Sequence, residues 1–302
     1  MDIKQFSRLL REKLPNEIIF EDQLMKNYTT FRIGGKADIL LKPSTYNQVA
    51  EIIKLCKQHE IPYYILGNGS NLLVADEGYR GVIIQIYQNL SKISIEGNEV
   101  TAEAGALLSK IATKAMEQGL TGFEFAHGIP GTLGGAVVMN AGAYDGEIKK
   151  VLKECVVLDE EGNLHTLSNE DLQLGYRTSI ITPKGYIVLG ATLTLQPGNP
   201  EAIKKYMKEL IDRRKEKQPL DKPSAGSTFK RPEGHFAGKL IMDSGLRGYQ
   251  LGGAMVSEKH CGFVVNVGQA TCKDVLELIE YVQKVVHEKF EIELEPEVKL
   301  LR

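Results

Sequence analysis

The chain has 302 residues, of which 42% are hydrophobic and 25% charged, and its formal net charge is −2. This composition predicts a globular protein of two or three domains, and the charge excludes the basic surface typical of nucleic-acid-binding proteins. No run reaches the roughly 18 apolar residues of a membrane span, and the amphipathic first twenty residues lack the apolar core of a signal peptide. We therefore expect a cytoplasmic protein with neither nucleic-acid nor membrane partners.

The cysteines are few and scattered, at positions 56, 155, 261 and 272. They form no CxxC pair, so neither a metal site nor a disulfide framework is expected. Buried or incidental thiols in a reducing cytoplasm account for this pattern.

The first elements alternate between helix and strand. Apolar spacing predicts a helix over residues 3–14 and another over 46–59, with Ser44 or Thr45 as its N-cap. Between them lie a hydroxyl-rich segment, 27–35, that ends in two glycines, and a predicted strand over 37–41.

The stretch Ile65–Val74 places a glycine-rich turn between two apolar runs. Gly67 and Gly69 can adopt the positive φ angles that let successive backbone N–H groups face one concavity, as in phosphate-binding nests. Ser70 and two asparagines add donors, but position 72 is leucine where a dinucleotide fingerprint has its third glycine. The pattern fits a pyrophosphate cradle between two strands and a plain tight turn equally well.

Short strands are predicted next, over 81–86, 93–95 and 100–102. A helix with apolar residues at 107, 108, 111, 112 and 115 follows, and Gly119 ends it.

A second unusual stretch, 127–143, contains His127 and is rich in glycine and alanine. Few side chains stand there between the backbone and a large flat ligand. Close packing of a helix on a sheet is the alternative, and we favour ligand contact.

Strands are predicted over 155–159, 164–167 and 186–195, before Pro197–Pro200 breaks the chain. The following helix ends in the basic run Arg213–Lys217. A solvated helix end and an anion-binding role for Arg214 or Lys217 are equally compatible with that run.

The last hundred residues hold three further features. Ser224–Pro232 places hydroxyls between glycine and a basic pair, and small residues recur over 245–254. Thr271 and Asp274 form a capping box for a C-terminal helix. Leu294–Leu300 contains two glutamates around a proline, which are either surface charges or include one buried catalytic acid.

Taken together, these motifs resemble one family, the UDP-N-acetylenolpyruvoylglucosamine reductases of peptidoglycan synthesis. The matching segments follow the family order and span nearly the whole chain: Thr30–Gly35, Gly67–Asn71, Gly128–Gly135, Gly175–Ser179, Ala225–Phe229 and Glu295–Val298. The glycine loops alone would indicate only the wider flavoprotein fold. The motifs around Arg177, Ser227 and Glu297 narrow the resemblance to the reductases.

The resemblance implies an α+β fold, with an FAD-binding part of the vanillyl-alcohol oxidase type and a third, substrate-binding domain. The implied domains are a first FAD lobe over 1–65, a second over 66–200 and a substrate domain over 201–290. Residues of about 291–302 are expected to pack back near the first lobe.

The implied cofactor is non-covalent FAD, with NADPH as co-substrate. The pyrophosphate of FAD is expected on the first glycine loop, and its flavin near the second glycine-rich stretch. The cofactor-binding residues implied by the resemblance are Arg32, Gly67, Asn68, Gly69, Ser70, Asn71, Gly128, Ile129, Pro130, Gly131, Thr132, Gly134, Gly135, Asn140, Ala141, Gly142 and Ala143. No histidine or cysteine lies between Gly67 and Asp76 to attach FAD covalently, and we interpret His127 as structural or solvated.

The implied reaction reduces the enolpyruvyl group of UDP-N-acetylglucosamine enolpyruvate to UDP-N-acetylmuramate. Hydride arrives at C3, and Arg177 and Glu297 would stabilise the enolate-like charge that develops at C2 and its carboxylate. Ser227 would then protonate C2, and a serine hydroxyl needs help for this, which we assign to Lys230 as a hypothesis. Glu295 is the alternative to Glu297.

The resemblance places Tyr176, Arg214, Lys217, Arg231 and Arg247 at the substrate. One branch of the family carries an inserted loop with a tyrosine that closes over the substrate. The segment after Arg177 has no room for it, so the chain resembles the shorter branch. A monomer is expected.

Two other functions stay open from the sequence. An FAD-dependent oxidase of the same fold would use Arg177 and Ser227 little, and its flavin would be reoxidised rapidly by air. A non-catalytic nucleotide-binding flavoprotein would keep its ligand when the catalytic motifs were changed.

Overall fold

The structure is a computed structural model that describes all 302 residues. It contains seven α-helices: α1 (Ile3–Lys13), α2 (Tyr46–Gln58), α3 (Leu108–Glu117), α4 (Leu133–Val138), α5 (Pro200–Lys217), α6 (Ala237–Asp243) and α7 (Cys272–Phe290). Its strands are β1 (Ile19–Leu24), β2 (Lys36–Leu41), β3 (Tyr63–Leu66), β4 (Leu72–Val74), β5 (Tyr79–Gln85), β6 (Ile93–Glu96), β7 (Glu99–Glu103), β8 (Leu120–Thr121), β9 (Gly142–Ala143), β10 (Gly146–Glu147), β11 (Leu152–Leu158), β12 (Leu164–Ser168), β13 (Ile187–Thr194), β14 (Gln196–Pro197), β15 (Gln250–Leu251), β16 (Ala254–Val256), β17 (Val264–Asn266) and β18 (Lys299–Leu301).

The long helices and the strands predicted from apolar periodicity are confirmed, with ends that differ by one to three residues. Thr45, rather than Ser44, caps α2, since its side chain accepts a hydrogen bond from the backbone N–H of Gln48 at 3.2 Å. The capping box of Thr271 and Asp274 at the start of α7 is also confirmed. Helices α4 and α6, strand β1 and the short strands β8–β10 and β14–β18 were not predicted.

The chain divides into two compact units. The first consists of Met1–Phe20, Ile39–Asn68 and Gly81–Arg214, and the second of Glu21–Asp38, Gly69–Arg80 and Lys215–Arg302. A four-stranded sheet has the order β1-β2-β5-β3, and β1, β2 and β5 each run from one unit into the other.

The first unit is built around a five-stranded antiparallel sheet with the order β12-β11-β13-β7-β6. Strand β13 is buried along almost its whole length, and α4 packs against it. The apolar core of this unit extends from Phe6 in α1 to Met207 in α5.

The Pro197–Pro200 break does not coincide with a boundary between the units. Helix α5 begins at Pro200, and its Ile203 and Met207 are buried in the core of the first unit. The unit boundary therefore falls at Arg214, near the end of α5. The division into three domains stays a prediction.

The second unit has its own core between α6, α7 and the three-stranded antiparallel sheet β15-β16-β17. One face of α7 is buried, from Val275 to Val286. The last strand, β18, pairs in parallel with β4, so the end of the chain packs beside the first glycine loop.

No helix is both long and apolar enough to cross a membrane. No three His, Cys, Asp or Glu side chains cluster in a metal-binding arrangement. All four cysteines are buried, and burial raises the pKa of Cys56 and Cys155 to about 12. These two thiols therefore stay protonated and unreactive at neutral pH.

Candidate active site

In the first unit the two glycine-rich segments meet. The side-chain amide of Asn68 donates a hydrogen bond to the carbonyl of Pro130 at 2.6 Å. A Cβ atom at Gly67 would lie only 2.6 Å from Oγ1 of Thr132. Glycine is thus required at position 67 by the close approach of the two segments. Both segments were predicted to contact the same ligand, FAD.

Helix α4 lies within the second glycine-rich segment and packs closely on the sheet. The backbone N–H of Gly134 donates to the carbonyl of Ala104 at 2.8 Å. A Cβ atom at Gly134 would lie 2.9 Å from Cβ of Ala104. The helix–sheet packing that we did not favour is therefore present at Gly134, and cofactor contact there stays a prediction.

Arg214 lies against the start of the same segment. A Cβ atom at Gly128 would meet Cδ of Arg214 at 3.2 Å and its Nη1 at 3.5 Å. Burial lowers the pKa of Arg214, whereas Tyr144 raises it. No carboxylate is paired with this guanidinium, so a positive charge beside Gly128 is left without a counter-charge from the chain.

His127, next to Gly128, carries a buried Nδ1 atom without a hydrogen-bond partner in the protein. Buried polar atoms are rarely left without a partner unless a ligand or water supplies one. His127 is partly exposed overall, and its interpretation as a structural or solvated residue stays a prediction.

Arg177 lies at the tip of a tight turn in the first unit. Gly175 and Thr178 pair across it, with N···O distances of 3.1 and 3.4 Å. Arg177 has a φ of +56°, and its guanidinium lies 5.3 Å from the ring centre of Tyr176, which is 57% exposed. The turn thus presents both predicted side chains together.

Asn140–Ala143, which the resemblance assigned to the flavin, follows shortly after α4. Gly142 and Ala143 form strand β9 of a small hairpin with β10. The side chain of Asn140 is buried and bonded to protein groups on both its oxygen and its nitrogen. A ligand could therefore meet Asn140 only through its backbone.

In the second unit, the remaining part of the first glycine loop lies against the segment around Thr30. Gly69 has a φ of +62°, and its carbonyl accepts a hydrogen bond from the N–H of Thr30 at 3.1 Å. The Thr30 hydroxyl donates to the carbonyl of Ser224 at 2.7 Å. Thr30, which was not assigned a role, thus connects the loop to the serine motif. The nearby Arg32 is exposed and has a φ of +57°.

The serine and glutamate motifs lie side by side as a short antiparallel pair. Phe229 pairs with Pro296, and the N–H of Glu297 donates to the carbonyl of Thr228 at 2.8 Å. Asn71 donates its side-chain amide to the carbonyl of Glu297 at 3.2 Å. Three distant parts of the sequence are thereby joined, at Asn71, at Thr228 (the residue after Ser227) and at Glu297.

Lys230 occupies the next position of this antiparallel pair and forms an ion pair with Glu295. Its backbone N–H also donates to the carbonyl of Glu295 at 2.8 Å. This ion pair connects the two motifs. It also gives the positive charge of Lys230 a partner, so a role in proton transfer is not needed to explain that charge. The helper role of Lys230 stays a hypothesis.

The other predicted substrate-binding cations in the second unit are exposed. The Arg231 guanidinium lies 4.0 Å from the ring centre of Phe236, and Arg247 donates to Sδ of Met242 at 3.5 Å. Lys217 is the exposed last residue of α5. Their contact with substrate stays a prediction.

The residues of the first unit fit a cofactor such as FAD. Two adjoining segments, Gly67–Asn68 and Gly128–Gly131, are partly exposed, and their glycines leave the backbone without side chains. Arg214 adds a positive charge without a counter-charge. Backbone N–H groups and cations of this kind suit a nucleotide carrying a pyrophosphate.

Two family profiles match the chain. The FAD-binding domain profile matches residues 37–168. The profile for the C-terminal domain of UDP-N-acetylenolpyruvoylglucosamine reductase matches residues 218–301.

Curated relatives match over nearly their whole length. The UDP-N-acetylenolpyruvoylglucosamine reductase of Clostridium novyi is 55% identical over 295 residues, covering 98% of this chain and 96% of the relative. The reductase of Alkaliphilus oremlandii is 52% identical over 301 residues, covering 100% and 99%.

Solved structures give the same result for the fold. The crystal structure of the reductase from Thermus caldophilus superposes with a TM-score of 0.81 at 39% identity, covering 93% of this chain and 98% of that one. p-Cresol methylhydroxylase superposes with a TM-score of 0.50 at 18% identity, over 65% of this chain and 43% of that one. The predicted FAD-binding fold of the vanillyl-alcohol oxidase type is confirmed. Sequence and fold together show that the chain belongs to the UDP-N-acetylenolpyruvoylglucosamine reductase family.

Proposed function

We propose that Arg177, Ser227 and Glu297 perform the chemistry of this reductase. The chain is an FAD-dependent oxidoreductase that reduces UDP-N-acetylglucosamine enolpyruvate to UDP-N-acetylmuramate, with NADPH as reductant. The observation that carries the proposal is the antiparallel pairing of the serine motif with the glutamate motif, through the 2.8 Å bond from the N–H of Glu297 to Thr228.

When bound, FAD would supply the hydride for C3 of the enolpyruvyl double bond. The electron pair of that double bond moves to C2 and is delocalised into the adjacent carboxylate. The Arg177 guanidinium and the Glu297 carboxyl are then needed where this charge develops, because preorganised charges and donors stabilise a transition state without reorganising.

Ser227 completes the reaction by transferring its hydroxyl proton to C2, and it regains a proton from solvent. Its position depends on Gly226, whose φ is +79°, and on the buried Thr228, whose hydroxyl accepts the N–H of Val264 at 2.9 Å. A serine held on both sides in this way suits a proton donor, which must be placed within hydrogen-bond reach of the carbon it protonates.

Arg214 is proposed to bind the anionic substrate. Its guanidinium lies against Gly128 without a counter-charge. Lys217, Arg231 and Arg247 are proposed to bind the substrate diphosphate. We further propose that the enzyme is a cytoplasmic monomer, with FAD held non-covalently.

The test is a single-turnover experiment without oxygen. The flavin of the purified protein is reduced with NADPH and then mixed with UDP-N-acetylglucosamine enolpyruvate while the flavin absorbance near ~450 nm is followed. We expect rapid reoxidation by the substrate, and slowing by about 10²- to 10⁴-fold in Ser227→Ala. Reoxidation only after air is admitted would favour an oxidase, and unchanged kinetics in Ser227→Ala would remove Ser227 from proton transfer.

A further inference from the structure

The side-chain amide of Asn140 is buried and bonded on both its nitrogen and its oxygen. It is 2% exposed. Its Nδ2 donates to Oε2 of Glu147 and to the carbonyl of Gly175, both at 3.0 Å, and its Oδ1 accepts the N–H of Lys149 at 2.9 Å. Both amide hydrogens are used, so this side chain acts within the protein.

The bond from Asn140 to Gly175 matters because Gly175 is the first residue of the turn that carries Arg177 at its tip. Arg177 is held at a φ of +56°, a conformation that costs a non-glycine residue about 1 kcal/mol or more and persists only where the surroundings impose it. Contacts with residues outside the turn are therefore needed to hold it in this conformation.

A second bond fastens the other end of the turn. The hydroxyl of Ser179, which is buried, donates to the carbonyl of Val138 at 2.7 Å. Val138 is the last residue of α4, and Asn140 follows it by two positions. Both ends of the Arg177 turn are thus attached to the segment that leaves α4, and α4 begins in the glycine-rich segment at Thr132–Gly135.

We propose that Asn140 and Ser179 are positioning residues that set the place of Arg177 relative to the glycine-rich segment. The inference rests on the proposed role of Arg177. Positioning of this kind affects catalysis strongly, since a misplacement of about 1 Å can cost about 10²-fold in rate.

Asparagine suits position 140 for two reasons. Its φ is +42°, which asparagine tolerates better than most side chains. Its amide can also donate to two acceptors at once, whereas aspartate would place a second carboxylate at the Glu147 carboxylate. Glycine keeps the backbone conformation and removes only the amide, so Asn140→Gly is the cleanest variant.

The experiment compares half-reactions in the purified holoenzyme. We expect Asn140→Gly to keep its FAD and to be reduced by NADPH at the wild-type rate, but to be reoxidised by the enolpyruvyl substrate about 10- to 100-fold more slowly. Ser179→Ala, the milder change, should show the same selective loss. Substrate affinity, measured by calorimetry on the oxidised enzyme, should change much less than the rate.

Asn89→Ala is the control. The Asn89 amide also donates to a backbone carbonyl of the first unit, that of Lys42 at 2.9 Å, and this bond involves neither the turn nor any partner of Asn140. We expect Asn89→Ala to leave both half-reactions unchanged.

A double variant separates positioning from general damage. If Asn140 acts through Arg177, Asn140→Gly should slow reoxidation no further in an Arg177→Ala background. A further slowing there, loss of FAD, an equal loss in the NADPH half-reaction, or wild-type reoxidation in both Asn140→Gly and Ser179→Ala would overturn the inference. Failure of the proposed role of Arg177 would look different, because Arg177→Ala alone would then be reoxidised at the wild-type rate.

Discussion

Glu295 and Glu297 lie on either side of Pro296 in very different surroundings. Glu297 is 9% exposed, and its backbone is bonded to Thr228 and Asn71. The Glu295 side chain is 68% exposed and is paired with Lys230. Only Glu297 has the sheltered environment in which a carboxyl group stabilises developing charge effectively.

We therefore predict that Glu297→Gln slows the reoxidation of reduced flavin by substrate by about 10²- to 10³-fold, as when a preorganised stabilising group is removed. Glu295→Gln should slow it less than threefold, since exposed ion pairs contribute about 0–1 kcal/mol. Stopped-flow absorbance under anaerobic conditions measures both. The opposite ranking would transfer the acid role to Glu295.

Lys230 can be tested through the same ion pair. If its charge serves only to pair with Glu295, Lys230→Met and Glu295→Gln should have equal and small effects on turnover, because each breaks the same contact. If Lys230 assists Ser227, Lys230→Met alone should slow turnover, and its effect should vanish in a Ser227→Ala background. Steady-state kinetics of the three variants decide between the two roles.

Helix α4 offers two adjacent glycines in different environments. A Cβ atom at Gly134 would lie 2.9 Å from that of Ala104, whereas one at Gly135 would have only an ordinary contact, 3.7 Å from Oγ1 of Thr132. The first glycine is therefore required by packing, and the second is not.

For the apo form we predict that Gly134→Ala lowers the free energy of unfolding by about 1–3 kcal/mol, as overpacking does. Gly135→Ala should leave it unchanged or raise it by up to about 1 kcal/mol, since alanine favours a helix. Urea denaturation measures both. If Gly135 contacts the cofactor, its variant should bind FAD more weakly despite this stability, and an unchanged affinity would remove Gly135 from the cofactor site.

Helix α7 depends on carboxylates at its first turn. Asp274 accepts hydrogen bonds from the backbone N–H groups of Thr271 and Gly253, both at 3.0 Å. Both bonds lower the pKa of Asp274, and the bond from Thr271 has the larger effect. Asp76 accepts the N–H groups of Cys272 and Lys273 at 2.8 and 3.1 Å. Both carboxylates compensate the unpaired N–H groups at a helix N-terminus.

The lowered pKa of Asp274 gives a pH dependence with a definite sign. Because the folded state prefers the ionised form, the stabilisation is fully present above the unfolded pKa of about 4 and is lost as pH falls through the lower folded value. Asp274→Asn should therefore reduce the loss of stability on acidification below about pH 4, measured by thermal unfolding. Asp221→Asn, at an exposed site outside the helix, is the control, and an equal change there would contradict the assignment.

At the scale of the whole molecule, cofactor binding should raise the free energy of unfolding. A ligand that binds only the folded state at 100 times its Kd adds about 2.7 kcal/mol to the free energy of unfolding. We expect FAD to raise the Tm of the apo protein accordingly, and riboflavin, which lacks the pyrophosphate, to raise it less. Equal shifts with both would contradict a cradle for the pyrophosphate at Gly67–Asn71.

The sequence by itself determined the family, the chemistry and most elements of regular structure. Amphipathic periodicity and capping residues act over a few positions, so α2 could be predicted nearly to the residue and the start of α7 at its capping box. The motifs around Arg177, Ser227 and Glu297 are likewise local, and their order along the chain is enough to recognise them.

Only the tertiary structure decided which distant residues meet. The pairing of Thr228 with Glu297, and the attachment of the Arg177 turn to Val138 and Asn140, join positions far apart in sequence, and no local pattern records them. The place of α5 was also decided in this way. Proline and glycine before it mark a break in the backbone, but the burial of Ile203 and Met207 assigns most of the helix to the first unit, because apolar contacts rather than chain breaks determine where a compact unit ends.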